Sequence, residues 1–377
     1  NNINTPYYCI SLIFYFFVLA IIMIFSLLYE SNSNSKYSFI WLLGIGIIFW
    51  FIYSFRYAVG SDYFSYISFF NLIKFYDDFY FIVTNINIVQ EPLYILFNFI
   101  LTRFFDEGFV IYFFIGIFNT ILIISGLYYF RKKINITIGF AIYYLSLFPY
   151  TTNAVRSCIC CCIMFYALRF IYEEKILKYC LCIFLAFLFH KTALLGLSFI
   201  ILKHFNSRTK NKLRNIFYYL IILLTPLTVK LALDSIKYIP ILDFYYNKYY
   251  YRFLTEASGS GLGILWLMPI IILVLINRKK LIQSNSNNEV LINILLLKIP
   301  LTFSGYYMLW AYRLRLFAEI SELVVVPMVI KLQSNKFNKM IITIFVIAYY
   351  MTYFIYKFFI NGINDMFPYQ TLFNYLS

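Results

Sequence analysis

Few side chains here can move a proton or grip an anion, and those that can occupy unusual places. Of 377 residues two are His and 16 are acidic, against 31 Lys and Arg. His190, beside Lys191, interrupts the apolar stretch 176–202. Arg156 follows Pro149-Tyr150-Thr151-Thr152-Asn153 at the start of another apolar run, and Arg313 and Arg315 follow Trp310-Ala311-Tyr312 at the start of a third. Arg56 closes an early run and continues as Tyr57-Ala58-Val59-Gly60-Ser61-Asp62-Tyr63-Phe64-Ser65-Tyr66; Glu91 precedes Pro92.

These types suit a particular chemistry. A guanidinium presents a planar fork that matches phosphate oxygens, so Arg56, Arg156, Arg313 and Arg315 are candidate diphosphate ligands. A general base needs an imidazole or a carboxylate. His190 and Asp62 are the candidates, and the residues alone leave the choice open. Glu91 is suited to orienting an Arg or a sugar. Tyr57, Tyr63, Tyr66 and Tyr312 offer faces that stack on sugar rings. Gly60 permits a turn of positive φ that would bring Asp62 back toward Arg56.

Each residue also has a plainer reading. Arg56 can be a snorkelling anchor in an aromatic belt. Glu-Pro is an ordinary helix start, and a lone His is more often a structural hydrogen bonder. Arg156 and Arg313 resist such readings, because they fall at the ends of runs opposite the basic loops.

The elements that carry these residues are membrane spans. The chain is 63% hydrophobic and 12% charged, whereas soluble domains hold about 45–50% apolar and about 25% charged residues. Apolar runs long enough to cross about 30 Å of hydrocarbon recur throughout. Lipid offers no partners to bare backbone, so each must be helical. The expectation is an all-α polytopic integral membrane bundle of about 10–12 spans plus re-entrant segments, one domain over residues 1–377. Clear spans are expected near 7–29, 37–55, 109–130, 135–150, 154–172, 214–233, 262–277, 290–309, 314–331 and 338–360. The first lacks a basic flank and a cleavage site, and reads as a retained span.

The net charge of +15 does not point to nucleic acid. The basic residues lie in separate short stretches, at Arg131-Lys132-Lys133, Lys203 to Arg214, Arg278-Lys279-Lys280 and Lys331 to Lys339. That is the pattern of cytoplasmic loops, not one continuous basic face. Cys158, Cys160, Cys161 and Cys162 sit inside an apolar run without His or acid beside them. They read as small buried hydrophobes, matching no zinc spacing. No Asp-x-Asp motif is present, and neither metal nor cofactor is expected.

Two segments do not fit simple crossings. Residues 176–202 have basic flanks at both ends, yet two crossings need about 40 residues. A re-entrant or tightly bent hairpin fits, with His190 at its tip. Residues 92–104 are also short for a span. If they re-enter, the loop 56–91 lies on the outer side with His190, Arg156 and Arg313. A second outer loop is expected at 234–261.

In these motifs the chain resembles the EpsG/Wzy-like family of bacterial polysaccharide polymerases. The family's Arg-aromatic-x-Val-Gly-x-Asp-Tyr-x-x-Tyr signature matches Arg56 to Tyr66. Glu91-Pro92-Leu93-Tyr94 matches its Glu-Pro with a following aromatic, and Phe189-His190-Lys191-Thr192-Ala193 its Phe-His motif. Arg156 matches its helix-opening Arg, with Ser157 where Gln is usual. Arg313 and Pro327 keep the spacing of a late Arg and Pro, Glu322 matches an acid between them, and Phe317-Ala318 replaces the usual Tyr-Phe.

The resemblance implies a fold related to the GT-C glycosyltransferases. It also implies a polymerase that joins undecaprenyl-diphosphate-linked oligosaccharide repeat units. Such an enzyme works at the outer (periplasmic) face of the bacterial cytoplasmic (inner) membrane, with a chain-length regulator as a partner. Close alternatives are an O-antigen ligase or another polyprenyl-linked glycosyltransferase. A transporter or flippase of lipid-linked oligosaccharide is more distant, since paired broken helices in repeated halves are not found.

Overall fold

The computed structural model describes residues 6–33, 35–85, 90–204, 224, 262–304 and 313–373. The chain is an all-α polytopic membrane protein. Its described elements are helices, with a single isolated antiparallel bridge between Arg56 and Thr371. Four helices are long and apolar enough to cross a membrane: Pro6–Ser31, Val110–Phe130, Val155–Tyr172 and Lys336–Ile360.

The chain divides into two compact units, residues 1–194 with 333–377, and residues 195–332. The first contains α1 (Pro6–Ser31), α2 (Ser38–Ser54), α3 (Tyr63–Lys74), α4 (Phe79–Asn85), α5 (Pro92–Thr102) and α6 (Val110–Phe130). It continues with α7 (Ile136–Ile142), a π-helical turn (Tyr143–Leu147), α8 (Phe148–Thr151), α9 (Val155–Tyr172) and α10 (Ile176–Phe189). The α1 helix packs on α2 and α7, α2 on α6, and α6 on α9, which pairs with α10. Short α5 packs against α3, α6 and α10.

The central helix is α9, buried on nearly every side. Its Ser, Cys and Ala residues are small enough for neighbours to come close, a common device between membrane helices. At Gly126 of α6, a Cβ would lie 2.4 Å from the Phe165 ring of α9, so that contact needs a glycine. The α1 helix instead exposes Ile10, Ile13, Phe17, Ile24 and Leu27, as a lipid-facing helix should.

Two elements are short or broken in the segments where simple crossings do not fit. The 11 residues of α5 span about 17 Å at about 1.5 Å each, well short of a bilayer core of about 30 Å. The α10 helix stops at Phe189, and His190 is extended (φ −162°, ψ 126°). A 3-10 turn then runs Lys191–Gly196.

The second unit contains α11 (Leu197–His204), α12 (Met268–Ile276), α13 (Arg278–Ser284), α14 (Asn288–Leu296), α15 (Lys298–Ser304), α16 (Arg315–Glu319) and α17 (Glu322–Lys331). The expected spans 290–309 and 314–331 are each interrupted. Pro300 has no N–H for the carbonyl of Leu296, so the helix breaks at Leu297. Ser321 turns its hydroxyl back to the Ala318 carbonyl at 2.8 Å, a local bond that competes with the helix. The expected span 214–233 and loop 234–261 lie outside the described residues, Leu224 excepted. The last helix, α18 (Lys336–Phe354), returns to the first unit and packs on the π-helical turn.

Candidate active site

Glu91 is the N-cap residue of α5, with Pro92 in the first turn. A capping carboxylate would normally turn to its own helix. Here it makes no such bond. Oε2 instead accepts a hydrogen bond from Arg156 Nη1 at 2.6 Å. Oε1 lies 2.6 Å from His190 Nδ1 and accepts the Lys191 backbone N–H at 3.2 Å. One carboxylate thus joins the starts of α5 and α9 to the end of α10. The pairing follows from topology: α9 and α10 are joined by only Glu173 to Lys175, so the first turn of one meets the last turn of the other.

The cluster is partly enclosed. Side-chain exposures are 22% for Arg156, 17% for His190 and 10% for Glu91. Burial pushes the Glu91 carboxyl up. The bond and charge of His190, the charge of Arg156 and the Lys191 N–H outweigh it and hold the group down at about 2. Glu91 is therefore ionised near neutrality and accepts from both partners. A bond to ionised Glu91 places a proton on His190 Nδ1 and leaves Nε2 as the nitrogen that can accept one. Beneath this, the Arg156 guanidinium lies 5.7 Å from the centre of the Tyr94 ring.

Arg56 is placed differently from expectation. It is fully buried. Nε donates to Val59 O at 3.1 Å, Nη2 to Thr152 O at 3.2 Å, and Nη1 to Tyr53 O. Its guanidinium is sandwiched by the rings of Tyr53 and Tyr112, each 4.1 Å away. No surface remains for a diphosphate, so the geometry makes Arg56 a structural clamp that folds the loop 56–62 onto the residues before α9. Gly60 belongs to the same clamp. Its φ is +104°, and a Cβ would fall 2.3 Å from Thr152 O.

Asp62 stands at the N-cap of α3, half-buried, and its backbone N–H donates to Asn153 Oδ1 at 2.9 Å. The turn at Gly60 therefore directs Asp62 to the residues ahead of Arg156 through its backbone. Tyr63 is buried and stacks on Tyr112 with ring centres 4.8 Å apart, which removes its face from any sugar. Tyr57 packs edge-on against Tyr63, and half-buried Tyr66 packs edge-on against Tyr94. Arg313 and Arg315 belong to the second unit, Arg313 half-buried and Arg315 buried on α16. Tyr312 lies outside the described residues.

Residues 361–373 carry no hydropathy or motif signal, yet they pack against the site's frame. They strap the loop 56–62 and the residues before α9. Asn364 Nδ2 donates to Pro149 O at 3.0 Å, and Asn364 Oδ1 accepts from Asn153 Nδ2 at 2.9 Å. Gly60 N donates to Asp365 O, and Tyr57 N to Gln370 O. The sequence signal there is Gly362 followed, after Ile363, by Asn364-Asp365, types that tolerate the left-handed backbone all three adopt.

A family model described as the EpsG family matches residues 39–371. The chain belongs to the EpsG family. That match covers every described residue of the Glu91 cluster, and it reaches the strap as far as Thr371. No curated protein and no solved structure matches this EpsG-family protein.

Proposed function

We propose that this EpsG-family protein is a polysaccharide polymerase, a glycosyltransferase joining undecaprenyl-diphosphate-linked repeat units at the outer face of the cytoplasmic membrane. The observation that carries the reading is the bridge from Glu91 to both His190 and Arg156. A base and a cation sit on one carboxylate, and they are the two groups such a transfer needs.

In this reading His190 Nε2 takes the proton from the acceptor sugar hydroxyl. The freed oxygen attacks the anomeric carbon of the donor chain. The bond from that carbon to the diphosphate breaks, and its electron pair leaves with undecaprenyl diphosphate. Arg156 offsets the charge that develops there. Among the described residues, the bond from Nη1 to Glu91 is the one side-chain hydrogen bond of Arg156. Glu91 keeps the His190 tautomer fixed and steadies the imidazolium that forms. In this reading Tyr57 and Tyr66 meet the sugar. A GT-C-like architecture of about 10–12 spans with α5 re-entrant accommodates this site.

The test is deletion of the gene, with surface-glycan length as readout. Single repeat units without long chains support the polymerase, and restoration by wild type but not by His190→Gln assigns the base. Long chains surviving the deletion would overturn the reading. Loss of the single repeat unit from the surface would favour a transporter instead.

A further inference from the structure

We propose that Cys160 is a positioning residue for His190, a role that rests on the reading of His190 as the base. Four cysteines crowd the middle of α9, and all are fully buried. Cys160 lies one turn after Arg156, so both side chains leave the same face of the helix. Its Sγ is 3.1 Å from the Ala186 carbonyl oxygen and 3.8 Å from that of His190.

Those two carbonyls mark the place where α10 ends. Ala186 O accepts the His190 N–H at 2.9 Å, the last bond of the helix. His190 O accepts the Ala193 N–H at 3.0 Å, which opens the following 3-10 turn. The thiol therefore bridges the break, donating to the nearer carbonyl and touching the farther one. A backbone break amid apolar helices must satisfy its polar groups from protein. The S–H group is a weak donor on a small, apolar side chain, and it adds a second bond at a carbonyl that already accepts an N–H, without drawing water in.

The consequence reaches the imidazole. Glu91 holds His190 at Nδ1, and Cys160 holds the peptide from which the ring projects. Two points fix the direction of Nε2, whereas one leaves it free to swing. Serine at this position would keep a donor. Its hydroxyl has a shorter reach, though, and can turn to its own helix four residues back.

The experiment uses the full chain in nanodiscs, with lipid-linked repeat units extracted from a strain lacking this gene as substrate. Cys160→Ala is expected to lower kcat by about 10- to 100-fold, the scale expected when a catalytic group is displaced by about an ångström. KM should stay within about twofold, because the substrate contacts are untouched. Cys160→Ser should recover part of the loss. Carbethoxylation of His190, followed by mass spectrometry, should change rate in Cys160→Ala, reporting a moved ring independently of turnover. Wild-type kcat and an unchanged carbethoxylation rate in Cys160→Ala, with His190→Gln inactive, overturn the inference and leave the base reading intact. Near wild-type turnover in His190→Gln overturns the base reading and the inference with it. If Cys160→Ala and Cys160→Ser both fail to accumulate, Cys160 is a packing residue and the inference falls.

Discussion

At the scale of single residues, the arrangement turns on which arginine is accessible. Arg56 and Arg156 look alike in sequence, each at the end of an apolar run. One is enclosed by three carbonyls and two tyrosines, the other is one-fifth exposed and pairs with Glu91. Arg56→Lys should therefore lower melting temperature and yield in detergent, since Lys has no fork to reach three carbonyls. A variant of normal stability but raised KM would instead make Arg56 a substrate ligand. Arg156→Lys should keep the fold and lose most chain-lengthening activity. Near-normal glycan length would show that a point charge suffices there.

Glu91 provides the pH test at the same scale. Its folded pKa lies below the ordinary value of 4.5, so its ionised form stabilises the fold. That stabilisation, on the order of 3 kcal/mol at most, is fully present above about pH 4.5 and is lost as pH falls through about 2. The melting-temperature gap between wild type and Glu91→Gln should therefore be widest above pH 4.5 and close toward pH 2. A gap that widens on acidification would contradict the ion pair. Neither this dependence nor the role of Arg56 was legible in the sequence. Both depend on which side chains meet across elements distant in the chain. Glu91 and His190 stood out as candidates, because a charge beside an apolar run is costly without a use, but the residues alone left an ordinary helix start and a structural histidine open.

At the scale of elements, hydropathy found the long helices because their length and composition carry the signal. It missed the interruptions at Leu297 and Ser321, where a proline and a hydroxyl act over one turn. These breaks place charged residues deep in the second unit. Lys298 at the start of α15 contacts Glu322 at 2.5 Å and Glu319 at 3.5 Å, and all three are buried. Lys298→Met should cost roughly 3–5 kcal/mol, because it leaves buried carboxylates uncompensated. The fluorescence-detected melting point would report it, and an unchanged value would mean that the carboxylates are compensated elsewhere. The short α5 carries a topological expectation. In a variant with Ser at Cys9, Cys180 and Cys182, a cysteine at exposed Tyr80 should react with a membrane-impermeant maleimide in intact spheroplasts. Reaction only after lysis would turn α5 into a full crossing.

At the scale of the whole molecule, the first unit is discontinuous. Residues 1–194 are completed by 333–377, and the intervening 138 residues form the second unit. The strap at 361–373 holds the loop that Arg56 clamps and the asparagine just ahead of the helix of Arg156. Along a growing chain, the segment bearing Glu91, Arg156 and His190 leaves the ribosome and enters the bilayer first. Asn364 arrives only after all of 195–332 has been translated and inserted. Until then the Gly60 turn lacks its bond to Asp365, and Asn153 lacks its amide partner. The later-made segment thus acts as a latch on the earlier-made site, and a chain stalled within the second unit holds every residue of the Glu91 cluster in an unfinished frame.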